Sequence, residues 1–404
     1  MRRLLLLIIL LSAAVLTASA QLRSQNTPEL RKKTFEKAWK TVDKNFYDPN
    51  FNGVDWKAIK KRYEPLVAAA KSDFEFYDVM KRMLRELKVS HMNLIVPVEA
   101  TRLKTAPAFT GLGVREIAGQ FVITSVLANS SAADAGLKPG FIILRINGDP
   151  VATFADVQSR LSGPANTKMR LGFLDAKDEA REVEIERRPM SESDKSHLGS
   201  LTLYGNFESK RINSRVGYIY FSNFIPFIGD RIKTAVESMF DTDGIVIDLR
   251  GNSGGDDHVG IKMAGLFFEK STQLMFSRTR HGDDQFEYFA RAGKTPYKGK
   301  LAILVDEFSR SASEQFAAGM QESGRAVVVG NKTPGEDLDG DLAEMPDGSL
   351  LLYAVGQPRT PKGRIIEGNG VIPNIEVSRT RTELLAGRDA QLEAAIAYIN
   401  TKPK

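Results

Sequence analysis

Ser311 has the setting that a nucleophile needs. It lies in Asp306-Glu307-Phe308-Ser309-Arg310-Ser311-Ala312-Ser313-Glu314, directly after the apolar run Leu301 to Val305 and at the start of a helical stretch. A strand that ends at a serine on a helix N-terminus presents the hydroxyl at the mouth of a sheet. There the first free N–H groups of the helix can hold a developing negative charge. That geometry suits acyl transfer. A second segment meets the same need from the other side: Ile245-Val246-Ile247-Asp248-Leu249-Arg250-Gly251-Asn252-Ser253-Gly254-Gly255 reads as a buried strand breaking into a Gly-rich turn. Glycine allows close backbone approach, so the N–H of Gly254 or Gly255 can point into a cleft. The N–H of Ala312 supplies the second donor of an oxyanion hole. Alone, the Gly-rich turn also fits a phosphate loop or a plain tight turn; its pairing with the Ser311 segment favours the acyl-transfer reading.

A serine hydroxyl is a weak nucleophile near neutral pH and needs a base. The chain has four histidines, His91, His197, His258 and His281. His197 falls in a polar stretch and His281 in a charged loop between Arg280 and Gly282, so both read as solvated. His91 follows a helical pattern in Leu87-Lys88-Val89-Ser90-His91, ahead of the apolar strand Met92 to Val96. His258 starts a helix three residues after Gly255, where the helix dipole disfavours an imidazolium, and it ranks second. The chain has no cysteine, which excludes thiolate catalysis, disulfides and a lipid-anchored cysteine. No cofactor and no metal are expected.

The elements that must position these groups fall into a clear order. Residues 28–88 read as three helices. Leu30, Phe35, Ala38, Trp39, Val42 and Phe46 recur at helical spacing in the first, and the others cover Trp56 to Ala70 and Phe74 to Leu87. From Gly111 to Arg188 the pattern changes to short strands: Gly111-Leu112-Gly113-Val114, Phe121-Val122-Ile123, a Ser130-to-Gly140 turn region, Ile142 to Ile146, and a helix from Phe154 to Leu161. This stretch resembles a PDZ domain. The resemblance implies that the backbone of Gly111, Leu112, Gly113 and Val114 receives a peptide's C-terminal carboxylate while the peptide adds as a strand. Phe141 stands where such domains usually carry an acid. After a polar linker, Pro189 to Ser200, strands and helices alternate, which means an α/β layer with a largely parallel sheet. Thr382 to Ile399 reads as one closing helix.

Arg2-Arg3, the apolar Leu4 to Leu11 and Ala18-Ser19-Ala20 form a secretory leader, with cleavage expected before Gln21. The expected domains are therefore the leader 1–20, a helical domain 21–105, a PDZ domain 106–188 and an α/β core 189–404. The reading is a secreted or periplasmic chain without stable membrane insertion once the leader is removed. Losing Arg2 and Arg3 takes the formal charge from +6 to +4, mixed along the chain, which argues against nucleic acid as a partner. The sequence sets no oligomeric state.

Several segments together resemble the C-terminal processing (tail-specific), tricorn-like serine protease family. They are Asp248 to Gly255, Ser309-Arg310-Ser311-Ala312-Ser313-Glu314, Gly330-Asn331-Lys332-Thr333-Pro334-Gly335 and Glu367-Gly368-Asn369-Gly370-Val371-Ile372-Pro373-Asn374-Ile375. The resemblance covers the whole chain after the leader. It implies a crotonase-like ββα protease core, endopeptidase activity on protein or peptide substrates, and a PDZ domain that recruits or gates them. Ser311 falls on the family's nucleophile. Many members use a Ser–Lys dyad with the lysine directly after the Thr-x-Gly turn; here that position is Glu336, and Lys332 precedes the turn. His91 falls where the family's histidine-using branch carries its base, and Glu367 where triad-using relatives carry their acid. The expectation is a Ser311/His91/Glu367 triad, with Ala312 and Gly254 or Gly255 holding the oxyanion. Asn374 replaces the usual Asp of its turn. The competing expectation, prompted by the missing lysine, is a catalytically silent PDZ scaffold that binds peptide tails.

Overall fold

The computed structural model describes residues 26–102, 108–190, 195–198, 201–282 and 285–401. The leader lies outside the described residues. The chain divides into two compact units, the first holding residues up to Lys88, Met92–Ala100 and Gly340–Ala354. The second holds Val89–His91, Thr101–Asp339 and Val355–Lys404.

Three helices build the first unit: α1 (Pro28–Asn45), α2 (Trp56–Ala69) and α3 (Asp73–Arg85). Thr27, Asp55 and Ser72 cap them, each side chain accepting an N–H of the first turn. Phe35, Ala38 and Val42 recur on one face of α1 and are buried, as the spacing demands. The strand Asn93–Ile95 pairs antiparallel with Leu350–Leu352. The turn at Met345–Ser349, where the Met345 N–H donates to the Ser349 carbonyl at 2.8 Å, belongs with these helices rather than with the α/β core.

The second unit begins with an antiparallel sheet containing β1 (Leu112–Ile117), β2 (Gln120–Val126), β3 (Ile142–Ile146), β4 (Thr167–Leu174) and β5 (Ala180–Pro189), with helix α4 (Phe154–Leu161). Their order is β5-β4-β3-β2-β1, so β1 is an edge strand. Gly111 precedes it at φ +85°, and a Cβ there would lie 2.1 Å from the Ser130 Cβ. Phe141 is buried and stacks on Phe173, a packing role that needs no acid. Within the expected linker, Lys195–Leu198 form a strand that pairs antiparallel with Leu201–Tyr204.

The core sheet runs β6 (Phe207–Asn213), β7 (Val216–Phe221), β8 (Gly244–Asp248), β9 (Lys300–Val305), β10 (Val327–Gly330) and β11 (Ile375–Glu376), in that spatial order. Only the β6–β7 pair is antiparallel. Helices α5 (Pro226–Glu237), α6 (Asp257–Ala264) and α7 (Ala312–Glu322) cover one face with Ile245, Ile247, Leu301, Ile303 and Val305. Val246, Ala302 and Leu304 point to the other, under a C-terminal helix. Burial on both faces is why these strands read as unbroken apolar runs. The expected single closing helix is two, α8 (Arg381–Leu385) and α9 (Ala390–Asn400). Gly387 at φ +72° breaks it, and Asp389 caps the second piece. The pairing Asp248↔Leu304 puts the carboxyl ends of β8 and β9 side by side, where parallel α/β sheets place their ligands.

Candidate active site

The turns leaving β8 and β9 are stitched together. Ser309 Oγ donates to the Leu249 carbonyl at 2.8 Å, the Arg310 N–H to the Asn252 carbonyl at 3.0 Å, and Ser313 Oγ to the same carbonyl at 3.0 Å. Ser311, the residue before α7, is held at φ +51°, ψ −122°. That conformation costs a non-glycine residue about 1–3 kcal/mol and persists only where surroundings enforce it. Gly254 (φ +94°) lies against it: a Cβ there would sit 2.8 Å from both the Arg310 carbonyl oxygen and the Ser311 Cβ. The Gly254 N–H is already donated to Asn252 Oδ1 at 2.9 Å. Gly255 and Ala312 are left with N–H groups that have no acceptor among the described residues.

Glu314, one turn into α7, is fully buried and pins this segment. Its carboxylate accepts from the N–H groups of Gly335 (2.8 Å), Glu336 (2.9 Å) and Ser311 (3.3 Å), and from Thr333 Oγ1. Burial still wins over these donors and pushes its pKa up to about 7.

On the other side stand His91 and Glu367. His91 also has a positive φ, +55°. Its Nδ1 lies 2.8 Å from Ser90 Oγ, which donates to Glu367 Oε2 at 2.8 Å. The Ser90 N–H donates to Glu367 Oε1 at 2.7 Å. Burial holds the His91 pKa below the ordinary 6.5, against the opposing pull of the Glu367 charge. One peptide unit joins the two sides. The Glu336 carbonyl accepts the Ser311 N–H at 3.0 Å, and the next N–H, that of Asp337, donates to Glu367 Oε2 at 2.8 Å.

The remaining candidates go elsewhere. The Glu336 side chain pairs with Arg310 at 3.1 Å and is half exposed. Lys332 is exposed, its stem beside Gly370. His258 is exposed, 5.9 Å from the Tyr288 ring, next to Asp256 and Asp257. His281 is exposed. The backbone of His197 pairs with Thr202 in the short ladder. Asn374 Oδ1 accepts the Val328 N–H at 2.9 Å, a structural bond.

The edge strand β1 reaches the same region through Arg115. Its guanidinium meets Asp306 at 2.8 Å and lies 4.3 Å from the centre of the Phe308 ring. Asp306 Oδ1 in turn accepts the N–H of Gly251 at 2.9 Å. Burial would raise the Asp306 pKa, but the charges of Arg115 and Arg379 outweigh it and hold it below the ordinary range.

Ser90, Asn252, Glu314 and Asp337 are parts of this site that sequence reasoning passed over. Glu314 had a signal: Ser311-x-x-Glu314 is a capping-box spacing, which already predicts a carboxylate turned back on the serine's backbone.

Comparison with known proteins follows the same outline. The model for Peptidase family S41 matches residues 215–377, that for the Tricorn protease C1 domain residues 28–85, and that for a PDZ domain residues 122–174. A carboxyl-terminal-processing protease of Synechocystis sp. is 29% identical over 392 residues, covering 92% of this chain and 88% of that protein. The chloroplastic carboxyl-terminal-processing peptidase 1 of Arabidopsis thaliana is 27% identical, covering 84% of this chain and 70% of that protein. Among solved structures, the photosystem II D1 C-terminal processing protease superposes with a TM-score of 0.61 at 22% identity, covering 92% of this chain and 98% of that one. That likeness concerns the fold: an α/β core, a PDZ domain and N-terminal helices.

Proposed function

The chain belongs to the C-terminal processing, tricorn-like serine proteases of Peptidase family S41, and from that premise we propose that it cleaves peptide bonds with Ser311, His91 and Glu367, Ser90 standing between the last two. The observation that carries this reading is the Glu336–Asp337 peptide unit, which ties the Ser311 backbone to the carboxylate bound to Ser90. An ionised carboxylate only accepts, so Ser90 Oγ gives its proton to Glu367 and must itself accept from His91 Nδ1–H. That fixes the tautomer, and Nε2 is left with the lone pair that a base needs.

In this mechanism Ser311 Oγ attacks the scissile carbonyl carbon and His91 Nε2 takes its proton. The carbonyl oxygen becomes the oxyanion, held by the N–H groups of Ala312 and Gly255; Gly254 shapes the turn and spends its own N–H on Asn252. His91 returns the proton to the leaving amine, and water attacks the acyl-enzyme with His91 again as base. The cation formed on His91 is balanced by Glu367 through Ser90. A peptide tail adds to edge strand β1 of the PDZ domain with its carboxylate at Gly111 to Val114, and Arg115 carries its presence to Asp306 and the serine loop. The leader places the chain outside the cytoplasm, as a secreted or periplasmic protein.

The test is hydrolysis of a peptide with a free C-terminus. Ser311→Ala and His91→Ala should each lower kcat by about 10⁴-fold or more, with fluorophosphonate labelling of Ser311 lost in the first. Wild-type turnover in His91→Ala would remove the base assignment. Tight binding of peptide tails with neither cleavage nor labelling would return the chain to a scaffold.

A further inference from the structure

Asp337 is fully buried, and neither oxygen of its carboxyl has a hydrogen-bond partner among the described residues. An ionised carboxylate in that state is not tolerated without a cation or donors. The charged groups that act most strongly on it are acids: Glu314 from α7, Asp339 from the strand that follows, and Glu367 from its turn. The neutral amide of Gln315 also faces it and works weakly against the rise in its pKa, although no atom pair between the two meets hydrogen-bond geometry; the Oε1 of that amide is buried without a donor. Gln315 Nε2 is directed to Asp339 Oδ1 at 3.3 Å. A buried acid with no well-formed hydrogen bond and a buried amide oxygen without a proton thus stand together. One proton on the carboxyl serves both.

We propose that Asp337 is a positioning residue that works as a neutral carboxylic acid behind Glu367. Its O–H donates to the Gln315 amide oxygen and fastens the Glu336–Asp337 peptide unit to α7. The same residue's N–H then stays on Glu367 Oε2, and Glu367 remains the one ionised partner of Ser90 and His91. Were Asp337 ionised, its charge would fall beside Glu367, Glu314 and Asp339 and push the peptide unit out of place. The burial and acidic surroundings that hold its pKa well above the ordinary 3.8 act in the same direction. A group whose folded pKa is raised contributes stability below the unfolded value and loses it as pH rises toward the folded one. Alkaline conditions should therefore release the peptide unit.

The functional half of this proposal rests on the protease reading above; the protonation half does not. The full chain carrying Ser311→Ala and carboxyl-labelled aspartate should show one aspartate carbon that stays in its neutral form from pH 5 to 8 by NMR. That signal should vanish in Asp337→Asn. In the active enzyme, Asp337→Ala should lower kcat by about tenfold to a hundredfold, while the near-isosteric neutral Asp337→Asn should restore it to within about threefold. Asp337→Asn should also lose the wild type's alkaline decline in kcat and show a melting temperature that falls less steeply between pH 5 and 9. Absence of the neutral signal in wild type overturns the proposal, whether or not the variants fold. A neutral Asp337 whose Asn variant is as impaired as the Ala variant overturns the positioning role. Both results stand apart from a failure of Ser311 or His91, which would show first as unimpaired Ser311→Ala or His91→Ala.

Discussion

The proposed nucleophile side and the proposed base side of this site are built in opposite ways. Ser311, Ala312 and Glu314 lie within four consecutive positions, on the turn between a buried strand and a helix, and a neighbouring parallel strand supplies Asn252 and Gly254. The base side takes Ser90 and His91, the Glu336–Asp337 peptide and Glu367 from three distant stretches and holds them by hydrogen bonds to one carboxylate. The first is rigid because local backbone geometry enforces it; the second has its geometry only while every bond to Glu367 is made. Damage to the nucleophile side should therefore act through sterics and be severe. Damage to the base side short of removing His91 itself should be graded and sensitive to pH.

The largest effect short of removing Ser311 or His91 themselves is expected at Gly254. A Cβ at that position would meet the Arg310 carbonyl and Ser311 Cβ at 2.8 Å on a backbone of φ +94°, so Gly254→Ala must displace the serine. Kinetics on a peptide substrate should show kcat lower by about 10²-fold or more, since a shift of about 1 Å is enough for that. A variant with unchanged kcat would mean that the serine's position is not set by this contact. Next comes Glu314→Ala, which leaves the N–H groups of Gly335 and Glu336 and the Thr333 hydroxyl without their acceptor. Each buried orphan costs about 1–3 kcal/mol, so urea unfolding should show a loss on the order of 3 kcal/mol or more, with kcat falling alongside.

The same contrast decides what could be read from sequence. The strand–serine–helix and strand–glycine segments are contiguous, so Ser311, Ala312 and the Gly254–Gly255 turn could be named from spacing. The helices of the first unit and the unbroken apolar runs of β8 and β9 were legible because each is buried by a simple periodic rule. Ser90's bridging place was not legible, although it stands next to His91, because it depends on a carboxylate 277 positions away. Asp337 was missed for the same reason: burial among acids leaves no mark on its neighbours in the chain. The closing helix was read as one piece because its apolar pattern continues across Gly387, whose positive φ is what breaks it. The Met345–Ser349 turn was assigned to the core by sequence order, while packing puts it with the helices.

On the base side the expected losses are smaller and tied to protonation. Ser90→Ala cuts the path between His91 Nδ1 and Glu367, and kcat should fall about tenfold to a hundredfold with little change in KM. Activity should require neutral His91. Burial lowers its pKa, so the acid limb of the kcat profile should lie below about 6.5 and the rate should be level above it until the alkaline decline. The charge of Glu367 raises that pKa, so Glu367→Gln should move the acid limb to still lower pH while reducing kcat. A limb that moved upward in Glu367→Gln, or a rate climbing through pH 9, would argue against an imidazole base held by this carboxylate.

The smallest effect is expected at Glu336, where the resemblance led to the expectation of a lysine. The Glu336 side chain makes a half-exposed pair with Arg310, and such pairs are worth about 0–1 kcal/mol. Its work is done by the main chain, whose carbonyl takes the Ser311 N–H and whose N–H goes to Glu314. Glu336→Ala keeps both bonds and should change kcat by less than about threefold. Glu336→Lys restores the amine to the sequence position but places it beside the Arg310 guanidinium, with which it would share a sign of charge. It should therefore not rescue His91→Ala. Recovery of hydrolysis in the Glu336→Lys, His91→Ala double variant, rising with pH as an amine deprotonates, would show that the lysine register remains competent. The difference between this chain and dyad-using relatives would then rest on one side chain rather than on the base-side assembly around Glu367.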